Sequence, residues 1–417
     1  MIVTSAVRHA AAGATALVLA LQAPAALAAT VTEPTPPPRS SVDPTELYRP
    51  GTHVRRLPGA PALPDGVSAL AWVVADARTG EVLAARDAHR RLPPASTMKA
   101  LFALTALPRL RADLRHKVTE EELDGIGAGS SLVGVQPGHT YKVSDLWNGV
   151  FLSSGNDAVR VLAALDGGWE GMARKMQEKA AALGAKDTRV VSPDGYDAPG
   201  QVSSAYDLAV FGRAGLRNPD FARYSATPYA YFPGGSSSYG IRNTNRLLTG
   251  DDGVGRYPGL LGVKNGYTSA AGSTLIAAAE RGGRTLVVTV MNPQSGGGLA
   301  VYEEARRLLD WGFEAAGKVR PVGTLRPGPA ERSEQAAAQP ASGPVRAAAA
   351  DAAASAAERA GDSDRKPAAA ALAEAKTEPE GGTGFPVGFV GSALAAAAGL
   401  WWWHRRTGAS RTTGGDG

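Results

Sequence analysis

A serine and a lysine stand three residues apart in the segment LPPASTMKALFALTAL, residues 92–107. The hydroxyl of Ser96 becomes an effective nucleophile only when a nearby base removes its proton, and Lys99 is a candidate for that base. Residues i and i+3 share one face of a helix, so the two side chains meet if a helix begins at Ser96. The free N–H groups of that helix would face a developing oxyanion, and burial would keep Lys99 partly neutral, as a base requires. Taken alone, the pair is also compatible with an N-cap serine and a solvated lysine.

Two further motifs follow along the chain: an S-x-N formed by Ser154 and Asn156, and a K-x-G that begins at Lys264. By itself, S-x-N is more typical of a loop or a helix break, and K-N-G is more typical of a hairpin turn. The order S-x-x-K, S-x-N, K-x-G is the motif set of penicillin-recognising serine acyltransferases and hydrolases. The three motifs together therefore predict chemistry through a serine acyl-enzyme.

Hydrophobic patterns predict the elements that position these motifs. A β-hairpin is predicted around residues 76–80, and strands joined by a Gly-Gly turn are predicted within residues 259–292. Apolar residues at helical spacing predict helices over 98–110, 143–165 with a break at 153–155, 171–183, 205–215 and 300–316. Strands at both ends with helices between them predict an α+β domain, with helices packed on an antiparallel sheet.

Both ends of the chain differ in composition from its body. A basic start, an apolar run and an A-x-A-like site predict a secretory signal peptide, and a late apolar segment followed by His404, Arg405 and Arg406 predicts a membrane helix with a cytoplasmic flank. The predicted segments are a signal peptide over 1–28, a Pro-rich disordered lead over 29–46, a catalytic domain over 47–325, an Ala/Pro/Glu-rich disordered stalk over 326–384, a transmembrane helix over 385–403 and a cytoplasmic basic tail over 404–417. We therefore expect the body on the extracytoplasmic face of the membrane.

Composition argues against several other functions. The net charge of +5 comes from Lys and Arg scattered along the chain, so no nucleic-acid partner is predicted. The chain has no cysteine, which is compatible with the export of a large domain. No Cys/His cluster indicates a metal, and no cofactor is predicted. A Ser-His-Asp hydrolase is poorly supported, because the sequence has no G-x-S-x-G.

Residues 67–316 resemble the D-alanyl-D-alanine carboxypeptidases of the low-molecular-weight penicillin-binding protein class. The stretches that carry the resemblance are LPPASTMKA, LSSGNDAV, LGAKDTRVVSPDGYDAPGQVSSAYDLA, RNTNRLL and LLGVKNGYTSAAGSTLI. The resemblance implies a β-lactamase/transpeptidase-like fold, in which a helical cluster packs on an antiparallel sheet. It also implies removal of the terminal D-alanine from peptidoglycan stem peptides, and β-lactams as covalent inhibitors.

The resemblance also implies a role for each motif residue. Ser96 would attack the carbonyl between the two terminal D-alanines, with Lys99 as its base. Ser154 would relay a proton to the leaving amine. Asn156 would hold the acyl amide and the Lys99 side chain, and Lys264 would attract the substrate carboxylate and polarise Ser154.

The strand that begins at Lys264 would bind the substrate. The resemblance places Asn265, Gly266, Tyr267 and Thr268 in contact with it, and the N–H groups of Ser96 and Tyr267 in the oxyanion hole. This sequence departs from the family pattern at Asn265, where the family usually has a threonine that contacts the substrate carboxylate. A family arginine on the following strand also has no counterpart, since no Lys or Arg lies between residues 284 and 306. The small β-domain that often follows the catalytic domain is replaced by the predicted stalk.

Two alternatives share these motifs. A class A β-lactamase needs a deacylating glutamate between the second and third motifs, and no Glu occurs between Glu178 and Glu280. A catalytically impaired penicillin-binding or wall-scaffold protein would keep the fold, and the altered third motif is compatible with it. Asp157, next to the S-x-N motif, is interpreted as an acidic residue at a helix start.

Overall fold

The structure is a computed structural model that describes residues 45–325. Its helices are α1 (Lys99–Ala106), α2 (Val143–Leu152), α3 (Asn156–Leu165), α4 (Gly168–Ala182), α5 (Ala205–Gly215), α6 (Pro219–Ala226), α7 (Arg246–Thr249) and α8 (Ala300–Ala315). Its strands are β1 (Thr52–Arg56), β2 (Ala71–Asp76), β3 (Glu81–Arg86), β4 (Arg115–Lys117), β5 (Thr140–Lys142), β6 (Tyr229–Pro233), β7 (Ser238–Arg242), β8 (Leu260–Thr268), β9 (Gly272–Arg281), β10 (Arg284–Met291), β11 (Val319–Arg320) and β12 (Gly323–Thr324).

Eight strands form one antiparallel sheet in the order β11-β1-β3-β2-β10-β9-β8, with β12 paired to β3. The central strands β2 and β10 read AWVVAD and RTLVVTVM and are almost wholly buried, as β-branched residues suit a pleated surface covered on both sides. Among the described strands, β8 pairs with β9 alone, so it is an edge strand with backbone groups available for pairing.

The two faces of the sheet contribute to two different hydrophobic cores. Alternate residues of β2 point to opposite faces: Val73 packs with the helical cluster that includes α1 to α5, and Val74 packs with α8. Phe102 and Trp147 belong to the first core, and Trp311 belongs to the second. The predicted fold class, helices packed on an antiparallel sheet, is confirmed.

The elements nearest the motifs agree with the sequence patterns. The predicted hairpin is confirmed, since β2 ends at Asp76, β3 begins at Glu81, and the two strands pair antiparallel. The Gly-Gly turn joins β9 to β10, and Gly282 and Gly283 both have positive φ, which glycine adopts without steric cost. The predicted break separates α2 from α3, so the S-x-N motif begins at a helix junction.

Other boundaries differ from the prediction. The helix predicted over 98–110 ends at Ala106 and continues as a 3-10 turn, because Pro108 has no N–H to donate. Helix α6 was not predicted, although Asn218 caps it through two side-chain hydrogen bonds and Pro219 is its first residue. Long-range packing decides such short elements more than local pattern does.

The predicted end segments fall mostly outside the described residues. This applies to the signal peptide, the stalk, the membrane helix, the cytoplasmic tail and the lead up to residue 44. Glu46, which we assigned to the lead, instead begins a 3-10 turn, is buried and pairs with Arg55. Within residues 45–325, no helix is long and apolar enough to cross a membrane.

Candidate active site

Ser96 lies in a 3-10 turn, Ala95–Met98, that runs directly into α1. Helical structure therefore begins around Ser96 as predicted, with a 3-10 turn before the α-helix. Lys99 is the first residue of α1, and its Nζ donates a hydrogen bond of 2.8 Å to Ser96 Oγ. The turn is fixed from the sheet side, because Thr274 of β9 donates its hydroxyl to the carbonyl of Pro94 at 2.9 Å. The nucleophile and its candidate base are therefore in direct contact.

Lys99 is buried, with 1% of its surface exposed. Its Nζ also donates to the backbone carbonyl of Asp194 at 2.6 Å. Burial lowers the pKa of Lys99 to about 8, while the charges of Asp194 and Asp157 act in the opposite direction. A lysine with this pKa is partly neutral near neutral pH and can accept a proton. Sequence reasoning did not single out Asp194, because the contact is to a backbone carbonyl far along the chain.

The second motif occupies the junction between α2 and α3. Ser154 adopts a left-handed backbone conformation with φ of 57°, and its buried Oγ has no hydrogen-bond partner in the described part of the chain. Asn156 begins α3, and its Nδ2 donates to Ser130 Oγ at 3.0 Å. The resemblance implied a contact between Asn156 and Lys99. No hydrogen bond joins these two side chains, and the buried Oδ1 of Asn156 has no partner within residues 45–325.

Asp157 does more than begin a helix. Its carboxylate accepts hydrogen bonds from the backbone N–H groups of Val133, Gly134 and Val135 at 2.7–3.0 Å. These bonds hold the segment that follows Ser130 against the start of α3. The helix-start interpretation was therefore incomplete, and neither Asp157 nor Ser130 was predicted as part of the site. The acidic residue directly after S-x-N was the signal available in the sequence, but its partners are set by tertiary structure.

The third motif lies on the edge strand β8. Lys264 is buried, and its Nζ donates to the backbone carbonyl of Asn265 at 2.8 Å. Burial, followed by the charge of Lys99, holds the pKa of Lys264 well below its usual value. No hydrogen bond joins Lys264 to Ser154 among the described residues, although the resemblance implied that Lys264 polarises this serine. The charge of Lys99 acts on Lys264, so the two buried lysines are electrostatic neighbours.

The remaining residues of the third motif have separate environments. Asn265 Oδ1 accepts the hydroxyl of Thr244 at 2.9 Å. Gly266 allows a close approach between β8 and the nucleophile turn, since a Cβ there would lie 2.5 Å from the backbone nitrogen of Ser96. Tyr267 is 71% exposed. Thr268 donates its hydroxyl to the carboxylate of Asp197 across the cleft. The glycine of K-x-G is thus required by the geometry beside the Ser96 N–H.

A cleft brings these motifs to one surface. Ser96 and Asn156 lie in it, with Tyr267 and Thr268 on one wall. The other lining residues are Ala128, Gly129, Ser130, Ser131, Gly195, Tyr196, Asp197 and Ser269. Lys99, Ser154 and Lys264 are buried and do not line the cleft. Within residues 45–325, no cluster of acidic or histidine side chains could hold a metal ion.

Comparisons with known proteins identify the family. The sequence model of the peptidase S11 family, described as D-alanyl-D-alanine carboxypeptidase, matches residues 59–295. The chain belongs to this family. D-alanyl-D-alanine carboxypeptidase DacB2 of Mycobacterium tuberculosis is 44% identical over 258 residues, which cover 61% of this chain and 85% of the relative. D-alanyl-D-alanine carboxypeptidase DacD of Escherichia coli is 35% identical over 275 residues, covering 63% of this chain and 67% of the relative.

Solved structures of the family share the fold. A D-alanyl-D-alanine carboxypeptidase from Mycobacterium tuberculosis matches with a TM-score of 0.59 and 40% identity, covering 64% of this chain and 99% of that chain. The Streptomyces K15 DD-transpeptidase matches with a TM-score of 0.56 and 26% identity, covering 61% of this chain and 99% of that chain. The predicted β-lactamase/transpeptidase-like fold is therefore confirmed.

Proposed function

We propose that this chain is a serine-type D-Ala-D-Ala carboxypeptidase that removes the terminal D-alanine from peptidoglycan stem peptides. The observation that carries the proposal is the 2.8 Å hydrogen bond between Lys99 and Ser96, in a member of the carboxypeptidase family. The lowered pKa of Lys99, about 8, makes a neutral amine accessible at that serine. A wall-scaffold protein has no need of a buried base beside a cleft serine, so this geometry favours the enzyme.

The reaction divides into acylation and deacylation. Lys99 takes the hydroxyl proton as Ser96 Oγ bonds to the carbonyl carbon between the two D-alanines, and the carbonyl oxygen becomes an oxyanion. The N–H groups of Ser96 and Tyr267 stabilise that oxyanion, across the close approach that Gly266 allows. The proton held by Lys99 reaches the amine of the departing D-alanine through Ser154 as the C–N bond breaks. Water then attacks the Ser96 ester and gives a proton to Lys99. That proton returns to Ser96 Oγ as the ester bond breaks and the shortened peptide leaves.

Two residues of β8 would bind the terminal carboxylate of the substrate. An arriving carboxylate would favour the charged form of Lys264, whose pKa burial has lowered. Asn265 has its Oδ1 occupied by Thr244, so its amide N–H₂ is the group that donates to the carboxylate. Asn156, held by Ser130, would bind the amide of the acyl D-alanine.

β-Lactams would acylate Ser96 as analogues of the D-Ala-D-Ala dipeptide. A class A β-lactamase activity is disfavoured because no Glu occurs between Glu178 and Glu280 to activate the deacylating water. The acyl-enzyme formed with penicillin should therefore be long-lived.

We place the enzyme on the extracytoplasmic face of the membrane, on the evidence of sequence composition. The apolar segment over 385–403 and its basic flank support a C-terminal anchor, and the apolar start of the chain supports export. The stalk over 326–384 would connect the anchor to the catalytic domain. Cell fractionation tests this arrangement: the full chain should remain in membranes at alkaline pH, and a chain ending before residue 385 should be released to the medium.

D-alanine release from diacetyl-Lys-D-Ala-D-Ala tests the proposed activity. The protein should release D-alanine in step with peptide shortening, and Ser96→Ala should release none while keeping the thermal unfolding transition of the parent. Transfer of the acyl group to an added amine, with little hydrolysis, would instead indicate a transpeptidase. Absence of both reactions in a folded protein would favour the scaffold alternative.

A further inference from the structure

One exposed carboxylate lies at the boundary between the candidate active-site cleft and a second cavity. Asp197 lines both of them, and no other Asp, Glu, Lys or Arg lines either one in the described part of the chain. The second cavity is lined mainly by apolar residues: Pro93, Pro94, Ala198, Pro199 and Ala270. An apolar wall that ends at a carboxylate matches the shape of an aliphatic amine, which has a methylene stem and a cationic head.

The Asp197 carboxylate is oriented by two neutral donors. Its Oδ1 accepts the hydroxyl of Thr268 at 2.7 Å, and its Oδ2 accepts the backbone N–H of Ala270 at 3.3 Å. No ion pair within residues 45–325 neutralises it. Each oxygen keeps a further lone pair for another donor. The group is therefore a positioned acceptor with its negative charge uncompensated.

The proposed chemistry fixes the direction of the substrate along β8. The terminal carboxylate lies towards Lys264, and the reacting carbonyl lies at the N–H of Tyr267. The residue that precedes the two D-alanines must then continue past Thr268. That end of the strand is where Thr268 contacts Asp197.

We propose that Asp197 is a specificity-determining residue that binds a free side-chain ammonium on the residue directly preceding D-Ala-D-Ala. The inference rests on the proposed carboxypeptidase function. The preferred stem peptide would therefore carry a diamino acid with a free side-chain amine. The methylene stem of that residue would lie against Pro93 and Pro94, and its ammonium would bind the Asp197 carboxylate.

Two peptides that differ in one charge test this inference on the full chain: Nα-acetyl-Lys-D-Ala-D-Ala and Nα,Nε-diacetyl-Lys-D-Ala-D-Ala. D-alanine release should give a kcat/KM about fivefold higher for the free amine, as for an exposed ion pair, and added salt should reduce that ratio. Asp197→Asn should bring the ratio to about one. Asp113→Asn, which removes an exposed charge outside both cavities, should keep the parent ratio.

Thr268→Val separates charge recognition from strand positioning. This variant loses the hydroxyl bond but keeps the Asp197 charge, so both peptides should become poorer substrates while their ratio is kept. Equal rates for the two peptides in the parent protein, or an unchanged ratio in Asp197→Asn, would overturn the inference and leave carboxypeptidase activity intact. Release from neither peptide would count against the proposed function itself.

Discussion

Lys99 can accept the Ser96 proton only when it is neutral, so the rate of acylation should follow its titration. Burial lowers the pKa of Lys99 to about 8. Below that value the neutral fraction falls about tenfold for each pH unit. The second-order rate constant for acylation by a fluorescent penicillin should therefore rise about tenfold between pH 6 and pH 7, about fivefold between pH 7 and pH 8, and less than about twofold between pH 8 and pH 9.

Asp194→Asn shifts this profile in a defined direction. The Asp194 carboxylate accepts bonds from the Ser192 hydroxyl and from the Tyr196 N–H, and an asparagine oxygen can accept both. The substitution removes the charge that raises the pKa of Lys99, so the rise in rate should move to lower pH. Stopped-flow measurements on both proteins test this, with Asp113→Asn as the charge control. A rate independent of pH between about pH 6 and pH 8, or a shift to higher pH in Asp194→Asn, would refute Lys99 as the base.

Three further substitutions give separable outcomes. Gly266→Ala places a Cβ 2.5 Å from the Ser96 nitrogen and should slow penicillin acylation by about 10²–10³-fold. In the control Gly240→Ala, the added Cβ has no heavy atom within 4 Å, so the acylation rate should not change. Ser154→Ala should slow D-alanine release by about 10²–10⁴-fold. It should not lower the urea midpoint, because the buried hydroxyl lacks a partner within residues 45–325. Burial raises the pKa of Asp207 to about 7. Between about pH 4 and pH 7, the folded protein therefore keeps a proton on Asp207 that the unfolded chain has released. Stability therefore falls as pH rises through that window, and Asp207→Asn should raise Tm by several degrees at about pH 8 and hardly at about pH 4.

Each of these predictions has an outcome that contradicts it. Equal acylation by Gly266→Ala and Gly240→Ala would show that the close approach of β8 is unimportant. A large loss of stability in Ser154→Ala would assign its hydroxyl a structural bond. A Tm gain for Asp207→Asn that is the same at both pH values would show that Asp207 does not carry the proton.

The sequence was most informative where chemistry and local structure depend on neighbouring residues. The S-x-x-K spacing predicted the contact between Ser96 and Lys99, since it depends on one helical turn. The break before Asn156 and the hairpin after Asp76 were predicted for the same reason. Pro108 also signals the end of α1 locally, and the predicted helix should have ended before it.

Contacts between distant segments could not be predicted in this way. Lys99 reaches the carbonyl of Asp194, 95 residues along the chain, through tertiary packing. Asp157 binds backbone N–H groups that precede it by more than twenty residues, and Asn156 contacts Ser130 instead of Lys99. A single sequence records which side chains can donate or accept, but the fold selects the partners.

The location of the penicillin adduct decides whether Ser96 is the nucleophile. The protein is incubated with benzylpenicillin at about pH 8, its intact mass is measured, and the modified peptide is mapped beside the Ser96→Ala variant. We expect one penicilloyl group per chain, on Ser96, and none on the folded variant. An adduct on another serine, or an adduct that persists in Ser96→Ala, would show that Ser96 is not the nucleophile.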